Sequence, residues 1–350
     1  MSEQPLLTQF LTDADTQMRV FDMGRRVTKI PLSEFQQFEK GELPYCYPFQ
    51  QTAWVALLFW HKKDKTKHNI WFLRMPLDET GHIQISTRDD FMHLLISRLS
   101  EQVSNAQSDN KNLTHALKDN PYVFKPTQEK MAIFHAKALK TLQQEPSQFF
   151  QGVLDYLQQA NLEQWDTLGI QGIADVCIRC DEKGIEELLV KSLAKLPDQP
   201  FAAFCQYLEN ENCSASIAEV IYKRFQKESD KPATALNCIR AIANTQASGI
   251  LQKLVKEALN NDSVATDPQV LIAISAKAWH CLEDDSTRNL FLNRLATNNA
   301  GQDYFNAVVI DLMFIPGMRA RILADFRNPD RSEVLSNAVG AFFQSISEQS

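Results

Sequence analysis

Four groups able to hold a proton or an ion, Arg74, Asp78, Glu79 and His82, fall within nine residues of one another. Such a set can build a small acid–base or metal cluster if the fold turns the side chains toward one point. An extended backbone would instead send Asp78 and Glu79 to opposite sides, and Leu77-Asp78-Glu79-Thr80-Gly81 also has the residue types of a plain turn that ends on glycine. Cys177-Ile-Arg-Cys180 has the spacing of a metal or redox pair. It has no second CxxC and no nearby histidine pair, and it closes an apolar helical stretch, so buried structural thiols are expected and no metal site is assigned. The turn His61–His68 carries Lys62, Lys63, Lys65 and Lys67 and could contact an anionic partner. No aromatic residues are interleaved to stack on bases, which points to a solvated hairpin tip. A smaller basic group, Arg319, Arg321, Arg327 and Arg331, is expected to pair with the acidic chain around it, and His280, between Trp279 and Cys281, reads as a core or rim histidine.

Known catalytic signatures are missing. HExxH, a nucleophile elbow, GxxxxGK[ST] and GxGxxG do not occur, and 11 glycines leave little material for phosphate-cradling loops. This removes the commoner zinc-protease, hydrolase, P-loop and Rossmann readings and implies no cofactor. It weighs against an enzyme without excluding other catalytic classes.

The elements that would position these residues divide the chain in two. Residues 1–103 read as an α+β domain: a short helix over 1–12, a strand broken or bulged at Gly24, and a helix from Leu32 capped by Ser33 and closed by Gly41 and Pro44. Two strands follow around the lysine turn. Alternate positions are apolar in both sets, which places the hairpin centrally in an antiparallel sheet. HIQIST reads as a third short strand of the meander, followed by a helix capped by Thr87 or Asp89. Residues 104–126, rich in Ser, Asn, Gln, Asp and Lys, read as a connector with one short helix around Leu113–Leu117.

From 127 to 350 the pattern is helical throughout, and from Glu163 to Phe326 a unit of two amphipathic helices recurs five times. The trailing helices begin near Lys183, Ser214, Ala247, Asp285 and Gly317, a period suited to HEAT-like helical pairs. Pro200, Pro232 and Pro268 fall in the first turns of leading helices, Ser214 and Asp285 suit the N-cap of trailing ones, and SEVLSNAVGAFFQSI reads as a terminal capping helix. One helix pair cannot bury its apolar face alone, so the expected architecture is a mainly α chain ending in an α-solenoid.

Charge follows the same division. Residues 1–125 hold 15 basic and 15 acidic groups, and residues 126–350 hold 21 against 28, so the helical part carries the whole net charge of −7. Nucleic-acid binding, which needs concentrated positive surface, is not expected there. The opening MSEQPLLTQFLTDADTQ has neither a basic n-region nor an apolar core, and Ala53–Trp60 is too short to span a bilayer. Seven cysteines, mostly on apolar helix faces, suit reduced thiols in the cytoplasm.

The length, the segment NIWFLRMPLDETG and the helical remainder together resemble an uncharacterised gammaproteobacterial family of about 340 residues, of unknown function, marked by a Leu-Asp-Glu motif (here Leu77, Asp78 and Glu79). The resemblance covers nearly the whole chain and implies no activity, cofactor or catalytic residue. Two functional expectations stand: a cytoplasmic scaffold that docks a protein or peptide on its helical-repeat surface, or an enzyme or small-ligand binder with a site near Asp78 and Glu79.

Overall fold

The computed structural model describes residues 5–104, 117, 120–159 and 162–349. The helix expected around Leu113–Leu117 lies outside them, apart from Leu117, which is buried in the N-terminal core. The chain separates into two compact units, Met1–Met131 with Phe314–Pro316, and Ala132–Met313 with Gly317–Ser350.

The first unit is built on a four-stranded antiparallel sheet of order β2-β1-β3-β4, with β1 Thr16–Asp22, β2 Thr28–Ile30, β3 Thr52–His61 and β4 His68–Pro76. Ala53, Val55, Leu57 and Phe59 of β3 enter the unit's hydrophobic core, and the intervening Ala56, Leu58 and Trp60 are buried too. The doubly apolar run therefore lies inside the sheet, as expected. β4, expected to lie centrally with β3, is instead the outer strand, its free edge covered by a later segment rather than by another strand. Its backbone is partly paired by the last residues of the connector stretch: Arg74 N donates to Tyr122 O and Phe124 N donates to Phe72 O.

The strand is broken at Gly24, one of the two expected outcomes, and residues 23–27 form a loop that turns β1 back onto β2. Further local expectations are corrected. HIQIST contributes only an isolated bridge, Leu77 to Ile83, because Ile85 already starts the helix α3, Ile85–Ser104, so neither Thr87 nor Asp89 caps it. The helix α2, Leu32–Glu39, follows Pro31 and has no side-chain cap from Ser33. Its other end is as expected. Gly41 takes φ +76°, and Gly41 N and Glu42 N donate to the carbonyls of Phe38 and Gln37.

Glu39, buried, reaches the first turn of α1, Leu7–Asp13, where it accepts from the backbone N–H groups of Leu7 and Thr8 and from the Thr8 hydroxyl. Burial raises its carboxyl above the ordinary value against those bonds. A carboxylate at a helix N-terminus satisfies donors that lack intrahelical partners.

The second unit is helical: α4 Gln128–Leu142, whose residues up to Met131 belong to the first unit, α5 Phe150–Gln158, then the pairs α6 Ile170–Ile178 with α7 Lys183–Ser192, α8 Asp198–Leu208 with α9 Ala215–Lys227, α10 Pro232–Ala241 with α11 Ser248–Asn260, α12 Pro268–Lys277 with α13 Asp285–Ala296, and α14 Gln302–Met313 with α15 Met318–Arg327, closed by α16 Glu333–Gln349. Ser214 caps α9 as expected, but Asp284 rather than Asp285 caps α13, accepting from Thr287 N at 2.8 Å. Bonds from the Ser286 and Thr287 hydroxyls and from Thr287 N hold the Asp284 carboxyl well below its ordinary value.

Leading helices pack on the next leading helix from α6 through α14, and trailing helices on the next trailing helix from α7 through α13. The fifth pair departs from this. The terminal helix α16 packs on α13 and α14.

Side chains tie each trailing helix to its predecessor. Arg224 of α9 donates to the Leu193 and Leu196 carbonyls at the end of α7, at 3.2 and 2.7 Å, and lies 3.8 Å from the Phe201 ring centroid. Asn261 donates to Ser229 O just beyond α9, and Arg294 of α13 to Leu259 O of α11 at 2.8 Å. All three side chains satisfy lone pairs of terminal carbonyls, and the cations Arg224 and Arg294 also interact favourably with the helix dipole. Replacing Arg224 with alanine is expected to destabilise this unit by about 2 kcal/mol, since it strips charged bonds from buried carbonyls. Replacing exposed Lys223 beside it should change little, and urea unfolding of both variants compares them.

Candidate functional site

The Leu77–Glu79 segment folds as a closed turn. Leu77 is buried in the core, and its N–H donates to Gln51 O at 2.9 Å. Asp78 Oδ1 accepts from Thr80 N at 2.8 Å, the Thr80 hydroxyl at 2.7 Å and His82 N at 2.9 Å. Its partial burial raises the carboxyl, but these bonds outweigh it and hold the group below its ordinary value. Gly81 completes the turn at φ +84°. The Thr80 hydroxyl also lies 2.8 Å from His82 Nδ1, so the structure brings Asp78 and His82 together around one hydroxyl. Arg74 does not join them; its Nε donates to Pro121 O at 3.1 Å. Glu79 is exposed. Among the described residues no group of three or more His, Cys, Asp and Glu side chains could hold a metal ion.

At the hairpin tip Lys62, Lys63, Lys65 and Lys67 are all exposed. Lys62 pairs with Asp15 at 2.8 Å, and Asp64 closes the turn by accepting from Thr66 N and the Thr66 hydroxyl. Both cysteines of the CxxC are buried, and burial pushes the Cys177 thiol far above its ordinary value. A thiol so raised is a poor nucleophile.

A buried set of charged groups in the first unit escaped the sequence reading. Residues Asp22 to Val27, with one carboxylate and two guanidinium groups, are all buried. Asp22, with no exposed surface, accepts from Gly24 N and Arg26 N at 3.1 Å and from the Tyr45 hydroxyl at 2.9 Å. Arg25 Nε donates to Pro48 O at 2.7 Å, and Lys130 Nζ donates to the carbonyls of Met23 and Gly24. Burial pushes the Asp22 carboxyl up to about 6 against the bonds from Arg26, Gly24 and Tyr45. Asp-x-Gly at the end of an apolar strand was the available signal, since an aspartate there accepts from the backbone two residues on.

Residues 45–52 link this loop to the Leu77–Gly81 turn. Tyr45 N donates to Gly81 O at 2.8 Å, while the Tyr45 hydroxyl reaches Asp22. Gln50 and Gln51 adopt φ 50° and 56° and close a two-residue turn between Phe49 and Thr52. Such turns favour Asn-Gly, and each non-glycine residue held there stores about 1 kcal/mol or more of strain.

In the second unit an open groove of about 830 Å³ separates the start of α13 from α15. Its floor is Arg288, which is 4% exposed, donates to Leu282 O at 3.0 Å and pairs with Asp325 and Asp285. Arg321 stands at the rim, donating to Glu283 O at 3.1 Å and lying 4.0 Å from Asp285. Arg327 also lines the groove, and Arg331 turns back to the Phe326 carbonyl at 2.7 Å. The basic group near the C-terminus is thus partly matched by acidic groups and carbonyls of its own unit. On the leading helices, Glu209 bridges Arg240 at 2.6 Å and Lys277 at 2.8 Å. Burial opposes its ionisation, but the two cations hold the carboxyl below its ordinary value.

No described helix is long and apolar enough to cross a membrane. No curated protein and no solved structure matches the chain. One family does, over residues 5–343, nearly the full length and across both units, and the chain therefore belongs to the family described as "Protein of unknown function (DUF3549)".

Proposed function

We propose that the protein is a cytoplasmic interaction protein, whose helix pairs form a HEAT-like α-solenoid and whose groove between α13 and α15 receives a segment of a protein partner. The observation that carries this reading is the break in stacking at the fifth pair. Every earlier trailing helix packs on its successor, with a cleft of about 550 Å³ at the end of α7 and α9, whereas α13 and α15 leave the larger opening of about 830 Å³ between them. The groove presents charges of both signs, Asp285 and Asp325 beside Arg321 and Arg327, which suits a polar peptide better than a nucleic acid or a purely apolar helix. Extended surfaces of stacked helix pairs serve this role in general. Burial of six of the seven cysteines as free thiols supports a reducing compartment. The alternative is an enzyme or small-ligand binder with a site near Asp78 and Glu79, where Asp78 and His82 meet around the Thr80 hydroxyl.

The test places a photo-crosslinking residue at Ala324, in the groove, and at Gly184, which is exposed on α7. In living cells the Ala324 probe is expected to yield a discrete adduct with one protein, weakened by Arg321→Glu and absent from the Gly184 probe. Equal labelling from both positions, or none from Ala324, would remove the proposal.

A further inference from the structure

The Tyr45 hydroxyl stands between two acceptors, 2.9 Å from Asp22 Oδ1 and 3.2 Å from the Trp54 carbonyl oxygen. It has one hydrogen and donates fully to only one of them at a time. With Asp22 ionised, the hydrogen goes to the charged oxygen, where the bond is stronger. Oδ1 then receives Tyr45 and Gly24 N, and Oδ2 receives Arg26 N.

When Asp22 takes a proton from solvent on Oδ1, the direction reverses. Oδ1–H donates to the Tyr45 oxygen, and the Tyr45 hydrogen turns to Trp54 O, which keeps a bond from Met23 N at 2.7 Å. Oδ2 retains Arg26 N. Each buried polar atom therefore has a partner in both states, which a fully buried carboxyl without such a hydroxyl would lack.

We propose that Asp22, Tyr45 and the Trp54 carbonyl form a proton-operated latch on the loop 23–27, whose two states differ in the direction of two hydrogen bonds. The groups facing Asp22 are Lys130 on α4, Arg25 and Arg26 on its own loop, and Tyr45, Cys46 and Tyr47 on the segment before β3. Burial pushes Cys46 up to about 12 and raises both tyrosines, so none of the three titrates near neutrality. Burial likewise outweighs the bonds and the Lys130 charge at Asp22, which takes up its proton at about 6. A carboxyl raised in the folded state contributes stability that is full below its unfolded value of 3.8 and is lost as pH rises through about 6. Opening of the loop should therefore become about a hundredfold more frequent between pH 4 and pH 8.

The test uses the full-length protein with the carboxyl carbons of aspartate and the ζ-carbons of tyrosine labelled for NMR, Asp22 being assigned through its bonded backbone. The expected result is a shared midpoint near 6 for the Asp22 carboxyl and the Tyr45 ζ-carbon. The opening constant from hydrogen exchange at Gly24 and Arg26, corrected for intrinsic rates, should rise about a hundredfold over the same range. A midpoint at the ordinary value of about 4 overturns the proposal. A Tyr45 signal that stays fixed while Asp22 titrates overturns it equally. Both readouts come from the unmodified sequence, so the outcome does not depend on whether Asp22→Asn or Tyr45→Phe folds.

Discussion

Alanine at Gly172 is expected to destabilise the helical unit by about 3 kcal/mol and to lower its melting temperature by roughly 6–12 °C. A Cβ at this position would lie 2.5 Å from the Phe149 carbonyl oxygen and 2.8 Å from Val153 Cγ2. Phe149 is the N-cap residue of α5, so its oxygen cannot retreat without moving the helix. α5 and α6 can approach this closely only because residue 172 has no side chain. Gly184 supplies the control: nothing lies within 4 Å of its Cβ position. Alanine there should stabilise α7 by a few tenths of a kcal/mol up to about 1, through backbone entropy alone. Thermal unfolding followed by circular dichroism separates the two, and a Gly172→Ala protein melting within about 2 °C of the parent would contradict the close α5–α6 contact.

Asp22→Ala carries the other large effect. It leaves the Gly24 and Arg26 amides buried without their acceptor, while Tyr45 keeps Trp54 O. Two orphaned donors cost about 3 kcal/mol together. The sign of the pH dependence is distinctive. An aspartate held by a salt bridge has a depressed pKa and loses its contribution as pH falls. Asp22 is raised from 3.8 to about 6, so its contribution grows as pH falls across that range. The stability gap between parent and variant should therefore widen from pH 7 to pH 4.5, by an amount bounded at about 3 kcal/mol. Urea midpoints at the two pH values decide it, and a gap that narrows on acidification would refute the burial of this carboxyl.

The helical part was legible because its information is local. Apolar residues at helical spacing, with Pro232 and Pro268 at the first helical positions, place the helix pairs within a few residues. Errors of one residue, such as Asp285 for Asp284 as the cap of α13, arise where two aspartates stand together and only the backbone decides which accepts. In the first unit the doubly apolar β3 was readable for the same reason. HIQIST was not, because alternation over so few residues fits the start of a helix as well as a strand.

The loop 22–27 was hidden by its charges. Arg25 and Arg26 look like surface residues in sequence, and only contacts with Pro48 and the segment around it, more than twenty positions away, account for their burial. The Leu77–Glu79 turn was correctly read as a turn ending in glycine. Its connections to Gln51 and Tyr45 are long-range and leave no local trace.

The bonds that close the trailing helices all run forward along the chain. Leu193 and Leu196 wait for Arg224, Ser229 waits for Asn261, and Leu259 waits for Arg294, over separations of 28 to 35 residues. A polypeptide leaving the ribosome meets these partners in order, so each trailing helix stays unfinished at its C-terminal end until the next one has emerged. Assembly of this unit would then follow synthesis at a lag of one repeat, with a frayed helix end travelling just behind the exit tunnel until Arg331 turns back onto Phe326.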